Sequence, residues 1–174
     1  MARLGRGYFG RAMSTTDTPT AFAERPADKR ALELGSAFAP KFDEHGLIPC
    51  VTQHADTREV LMFAFMNAES LAATIDTGFV HYWSRSRRKL WRKGEKSGMS
   101  QAVVELRTDC DQDVVLAKVR VGAATAEGSG GVQASCHVGF PGCFYRAVSS
   151  GSAGPELAVV EEPVFDPEAV YGRG

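Results

Sequence analysis

The chain has 174 residues, 44% of them apolar, and 20 Lys and Arg against 21 Asp and Glu, for a net charge of -1. That length suits one globular domain with loose ends, and the balanced charge argues against a nucleic-acid or membrane-surface binder. No run of eighteen apolar residues exists to span a bilayer. The first residues lack the apolar core of a secretory signal, so a cytoplasmic chain is expected. Its four cysteines then read as metal ligands, catalytic groups or core thiols rather than disulfide partners.

Residues 1–40 read as a flexible N-terminal extension: Arg3, Arg6 and Arg11 sit among small residues, and the stretch from Ser14 to Thr20 has no apolar period. An acid-free, arginine-bearing start also fits an organellar targeting peptide. A folded domain is expected over residues 41–148. Residues 47–53 and 59–65 are apolar runs joined by Asp56, Thr57 and Arg58, which predicts a hairpin. Cys50 lies inside the first run and reads as a packed strand residue. Asn67 can cap a short helix in which Ala68, Leu71, Ala72 and Ile75 keep i, i+3, i+4, i+7 spacing. Glu69 sits at the positive end of its dipole, and Gly78 provides a left-handed stop. Further strands are expected at residues 79–84, 102–108, 114–121 and 143–148, with alternation clearest from Leu116 to Val121.

The glycine-rich stretch 122–133 reads as a mobile surface loop. It lacks the Lys, Ser/Thr and helix that would make it a phosphate cradle. Residues 149–174 read as a C-terminal tail that opens on a Ser/Gly linker. The fold class is therefore α+β and mainly β: a single domain of antiparallel and mixed strands with one short helix.

Two metal-ligand chemistries are interleaved near the middle of the chain. Asp109, Asp111 and Asp113 are hard oxygen donors of the kind magnesium or calcium accepts, whereas Cys110, Cys136 and Cys143 are soft thiolates of the kind zinc accepts. In an extended segment the three carboxylates would share one face and Cys110 the other, so one strand end would serve two metals. An acidic turn on a solvated surface has the same composition. Upstream, His81-Tyr82-Trp83-Ser84 leads into the basic run Arg85 to Lys96, broken by Trp91. Cations, hydroxyls and aromatic faces occur together there, as recognition of a phosphorylated nucleotide or of single-stranded RNA requires.

Taken together these blocks resemble the phosphoribosyl-AMP cyclohydrolase family of histidine biosynthesis, across residues 42–148. The resemblance rests on Met66-Asn67, the His81 to Arg87 block, Leu90 to Glu95, Ser97-Gly98, Asp109 to Asp113, Cys136-His137 and Cys143 to Arg146. It implies hydrolytic opening of the N1–C6 bond in the adenine ring of phosphoribosyl-AMP by an intertwined homodimer. It further implies magnesium at Asp109, Asp111 and Asp113, and zinc held by Cys110 of one subunit with Cys136 and Cys143 of the other. Trp83, Ser84, Arg85, Arg87, Trp91, Arg92, Lys93 and Glu95 are the expected substrate contacts. No nucleic acid or membrane is expected as a partner.

Three thiolates should leave zinc less able to acidify water than three histidines would, so a nearby base is expected. His137 is the first candidate because imidazole exchanges protons near neutral pH, with bracing of Cys136 as its alternative role. His81 is the second, and His45 and His54 read as surface residues. Rival functions have weaker sequence support: zinc nucleotide deaminases carry His-x-Glu and Pro-Cys-x-x-Cys patterns that are absent here. A binding module with a structural zinc would need a fourth protein ligand.

Two departures from the family pattern stand out. Val138 to Gly142 occupies the space between the cysteines where the family places two arginines and two hydroxyls, so a phosphate contact from that loop is not expected. Met99 follows Ser97-Gly98 where an asparagine is usual, replacing a polar contact with a thioether.

Overall fold

The structure, a computed structural model, describes residues 20–122, 133–151 and 154–172. Strands form where buried and exposed side chains alternate. In β1 (Leu47–His54) Ile48, Cys50 and Thr52 are buried. β1 pairs antiparallel with β2 (Val60–Asn67) across the expected hairpin. A capping box between Asn67 and Ser70 opens α2 (Ala68–Thr77), and Gly78 closes it at φ 71°. The strands β3 (His81–Ser84) and β4 (Lys89–Arg92) extend the sheet beyond β2.

On the other side of β1 lie β5 (Gln101–Thr108) and β6 (Val115–Val121), where Val115, Ala117, Val119 and Val121 all face inward. β6 runs parallel to β1 and antiparallel to β5, so the strand order is β4-β3-β2-β1-β6-β5. The sheet curls until its flanks meet. Phe79 bridges Ala102, Val80 donates its amide to the Gln101 carbonyl (3.0 Å), and Val103 donates to that of Gly78 (2.8 Å). Ile48, Met66, Leu71, Val80, Tyr82 and Val103 fill the core without exposure, each apolar side chain contributing about 1.5–3 kcal/mol.

The described residues thus make one mainly β, mixed-strand domain with few helices, and several expectations need correction. The sequence predicts one helix; the structure adds α1 (Lys29–Leu34) and α3 (Pro167–Tyr171), both too short for an apolar period and without a buried residue. β4 lies inside the charged run, where four residues do not reveal alternation. The strand expected at 143–148 begins only at Arg146, as β7 (Arg146–Gly151), because its partner is β8 (Gly154–Val159) in the stretch read as tail. In that hairpin Val148 faces Leu157 and Arg146 faces Val159, and the three aliphatic side chains are 58–74% exposed.

The expected loop at 122–133 lies, for residues 123–132, outside the described residues, as do residues 1–19 of the expected N-terminal extension. From Thr20 onward that extension packs on the domain. Thr20 bonds to Asp76 of α2, and Phe22 meets Phe38 edge-on at 5.8 Å and Phe42 at 6.0 Å. No described helix is long and apolar enough to cross a membrane.

Candidate functional site

The β5–β6 connection is a turn, and Gln112 organises it. Its backbone is left-handed (φ 57°) and its side chain is buried. Oε1 accepts from the Ala39 amide (2.8 Å), while Nε2 donates to the carbonyls of Leu32 (3.3 Å) and Ala37 (3.2 Å). With Gln112 drawn inward, Asp109, Asp111 and Asp113 each bring a carboxylate oxygen within 4.8 Å of the others. This turn replaces the strand alternation that the sequence suggested as the route to a shared face. Asp109 Oδ1 accepts from the Asp113 and Val114 amides (3.0 and 3.2 Å), which fixes its direction. Lys41 Nζ lies 3.9 Å from Asp111 and 3.6 Å from Asp113. Three hard oxygen donors at this spacing fit a hard divalent cation.

Cys136 and Cys143 delimit a second, tight loop. Ser135 donates its amide to the Pro141 carbonyl (2.8 Å), Cys136 to that of Phe140 (3.3 Å), and Cys143 to that of Leu61 in β2 (2.6 Å). The two thiols share a hydrogen bond. Burial, followed by the Cys136 neighbour, pushes the Cys143 thiol up to about 11, with Lys93 pulling against them. Burial likewise lowers the Lys93 ammonium, and the two thiols oppose that shift. Its Nζ donates to the Ser135 carbonyl at 2.5 Å. Cys143 and His137 are exposed, so the pair opens outward. Two soft donors side by side fit zinc but fill only half of a tetrahedral site.

Cys110 does not reach them. Cys50 pairs with Val115 beside the acidic turn, whereas Thr52 pairs with both Met62 and Ala117 further along. The Cys110 turn and the Leu61 seat of Cys143 therefore lie at opposite ends of the strands, roughly 10 Å apart or more at the usual rise per residue. Cys50, wholly buried, has its thiol pushed up to about 12 by that burial and stays a core residue.

The unusual Val138 to Gly142 stretch holds the chain's own C-terminal segment. Val164 donates its amide to the Gly139 carbonyl (2.7 Å), and Gly139 (φ 98°) would place a Cβ 2.6 Å from the Phe165 carbonyl. Phe140 stacks on Tyr145 with ring centroids 3.9 Å apart. Met99 is buried at 3% exposure, turned into the protein.

Strand alternation sorts the basic segment. Tyr82 and Trp91 are opposite in register and pack together, centroids 5.1 Å apart, while His81 and Arg92 occupy the other face. Lys93 follows Trp91 inward. Arg92 lies over Phe79 (4.2 Å), and His81 Nδ1 is 2.8 Å from the Phe79 carbonyl. Burial lowers the His81 pKa, the Phe79 bond opposes this, Arg92 lowers it further and Glu95 raises it. The neutral ring then donates from Nδ1 and offers Nε2 as an acceptor.

Trp83 and Arg85 line an open cleft of about 780 Å³ with His45, Asn67, Glu69 and Arg88. Arg85 rests over Phe65 (4.2 Å), and Ser84 Oγ accepts from Arg87 Nε (3.2 Å) in the adjoining turn. His45 reads from the sequence as a surface residue and Arg88 as one of a basic run, with nothing to place either at this cleft, and no signal sets Gln112 apart within the acidic block. Asn67 and Glu69 read from the sequence as the helix start, and that start supplies the signal: the positive end of α2 faces the cleft.

The sequence model of a family described as phosphoribosyl-AMP cyclohydrolase matches residues 62–145. A protein named phosphoribosyl-AMP cyclohydrolase from a Caulobacter species is 57% identical over 126 residues, covering 72% of this chain and 88% of the relative. Proteins of the same name from Rhizobium leguminosarum bv. trifolii and Sinorhizobium medicae are 47% and 49% identical over 153 residues. Those alignments cover 87% of this chain and 97% and 96% of the relatives, respectively.

Proposed function

Because the chain belongs to the phosphoribosyl-AMP cyclohydrolase family and is an enzyme of histidine biosynthesis, we propose that it opens the adenine ring of phosphoribosyl-AMP by hydrolysis, using zinc and magnesium as a homodimer. The observation that carries this reading is the pinned Cys136–Cys143 pair, with two thiols sharing a hydrogen bond and an open side. In the reaction the oxygen of water bonds to C6, the N1–C6 bond breaks, and the proton released from water ends on N1. Zinc held by Cys136 and Cys143 would supply Lewis acidity toward the water, and magnesium held by Asp109, Asp111 and Asp113 would supply positive charge that attracts substrate phosphate.

The chain's own residues do the rest. His137, exposed one residue after Cys136, takes the proton and returns it to the ring nitrogen. His81, held neutral by burial, presents Nε2 as an acceptor and orients substrate. Trp83 offers a ring face to the base in the cleft, while Arg85, Arg88 and the N-terminus of α2 attract phosphate oxygens. Asp109, Asp111 and Asp113 would repel a substrate with two phosphates unless a cation lay between them, so they hold that cation.

The third zinc thiolate is assigned to Cys110 of a second copy. Support comes from its separation from Cys136 and Cys143 within one chain, and from the exposed Val148, Leu157 and Val159 face of β7–β8. An isolated two-stranded hairpin is marginal in water, which favours burial of that face against a partner.

The test is to strip the purified protein of metal and follow ring opening of phosphoribosyl-AMP by absorbance after adding back zinc, magnesium or both. Turnover is expected only with both. Its absence with both metals present would overturn the reading.

A further inference from the structure

Ser135, the residue before Cys136, is gripped from three sides. Its carbonyl accepts from Lys93 Nζ (2.5 Å), its Oγ accepts from Gln101 Nε2 (3.0 Å), and its amide donates to the Pro141 carbonyl (2.8 Å). Gln101 is itself anchored: its Oε1 accepts from the Tyr82 hydroxyl (2.8 Å), which shares a hydrogen bond with Thr52 Oγ1 (2.6 Å). Thr52, Tyr82 and Gln101 have no exposure and Ser135 has 2%. They come from β1, β3 and β5, so the chain of hydrogen bonds crosses the inside of the curled sheet.

Burying polar groups costs stability even when each is satisfied, and aliphatic residues could fill the same volume. Neighbouring inward positions on these strands are indeed apolar: Ile48, Cys50 and Val103. None of the four polar residues lines the cleft or belongs to the acidic turn. What they reach is the backbone that carries Cys136. Lys93 arrives from the turn after β4 and Gln101 from the start of β5, the two flanks where the sheet closes on itself at Val80. The cysteine loop is thereby tied to the seam of the fold.

We infer that Lys93 and the buried Thr52–Tyr82–Gln101 chain are positioning residues that clamp Ser135 and so hold Cys136, beside Cys143, ready to receive zinc. The inference rests on the zinc reading of the two cysteines. Its physical content is preorganisation: a ligand whose backbone is fixed before metal arrives has little freedom left to lose on binding. For Lys93 this is a different role from the substrate contact that the sequence suggested.

The experiment measures zinc affinity of the metal-free full-length protein by competition with a chromophoric chelator, together with the thiolate-to-cobalt absorption of the cobalt(II) form. Lys93→Met and Ser135→Ala should each weaken zinc binding by about ten- to hundredfold. Zinc stoichiometry at saturation and far-ultraviolet circular dichroism should stay unchanged, and the cobalt bands should shift. Lys93→Arg, which keeps a donor, should recover most of the affinity. If Lys93→Met does not fold, Ser135→Ala decides alone. Wild-type affinity and cobalt spectrum in the variants would overturn the clamp. Absence of zinc uptake by the wild-type protein would instead remove the zinc reading and the clamp with it.

Discussion

At Gln112 a left-handed backbone and a buried amide decide where three neighbouring carboxylates point. In the proposed reading Asp111 is a charge placed for a cation. Asp111→Asn keeps its shape and loses the charge, so the magnesium needed for half-activation should rise on the order of tenfold while bound zinc stays constant. Elemental analysis and a magnesium titration of activity check both halves. Unchanged half-activation would take Asp111 out of the ligand set. Residue types at the site were legible because Asp, Cys and His carry their chemistry in their names. Directions were not: Trp91 and Lys93 look like substrate contacts in a basic run, yet alternation along β4 and into the turn after it sends them inward to Tyr82 and Ser135.

Among the elements, α2 was readable because its signals are local: a capping asparagine, helical spacing and a left-handed glycine. The hairpin strand β8 and the helices α1 and α3 were not. β8 is defined by pairing with β7, while α1 and α3 depend on caps at Asp28 and Asp166 that are ordinary in loops. The contact between the C-terminal segment and the cysteine loop was equally unreadable, being set by tertiary packing. Gly139 is its hinge. Gly139→Ala would force a Cβ to within 2.6 Å of the Phe165 carbonyl at a φ of 98°, so it should cost about 1–3 kcal/mol. Thermal unfolding should show that loss, and limited proteolysis should cut beyond residue 160 sooner than in the wild-type protein. Equal protection in the variant would mean that the segment is held elsewhere.

For the whole molecule, the separation of Cys110 from Cys136 and Cys143 makes a complementation prediction. Cys110→Ser and Cys136→Ser should each be inactive alone. Mixed and allowed to exchange subunits, they should form heterodimers in which, on the proposed reading, one of two zinc sites has all three cysteines, so about a quarter of wild-type activity should return. No recovery despite demonstrated exchange would place all the ligands within one chain. The described sheet has a further consequence, for the order in which the protein comes into being. β1 is its centre, yet the parallel partner β6 lies far along the chain, and loop closure must precede any return from that pairing. As the chain leaves the ribosome, one edge of β1 waits unpaired while β2, α2, β3, β4 and β5 emerge, and the cysteine loop follows β6. The Cys136–Cys143 loop is thus made after every strand it is tied to, so its contacts with Leu61, Lys93 and Gln101 are late ones in synthesis.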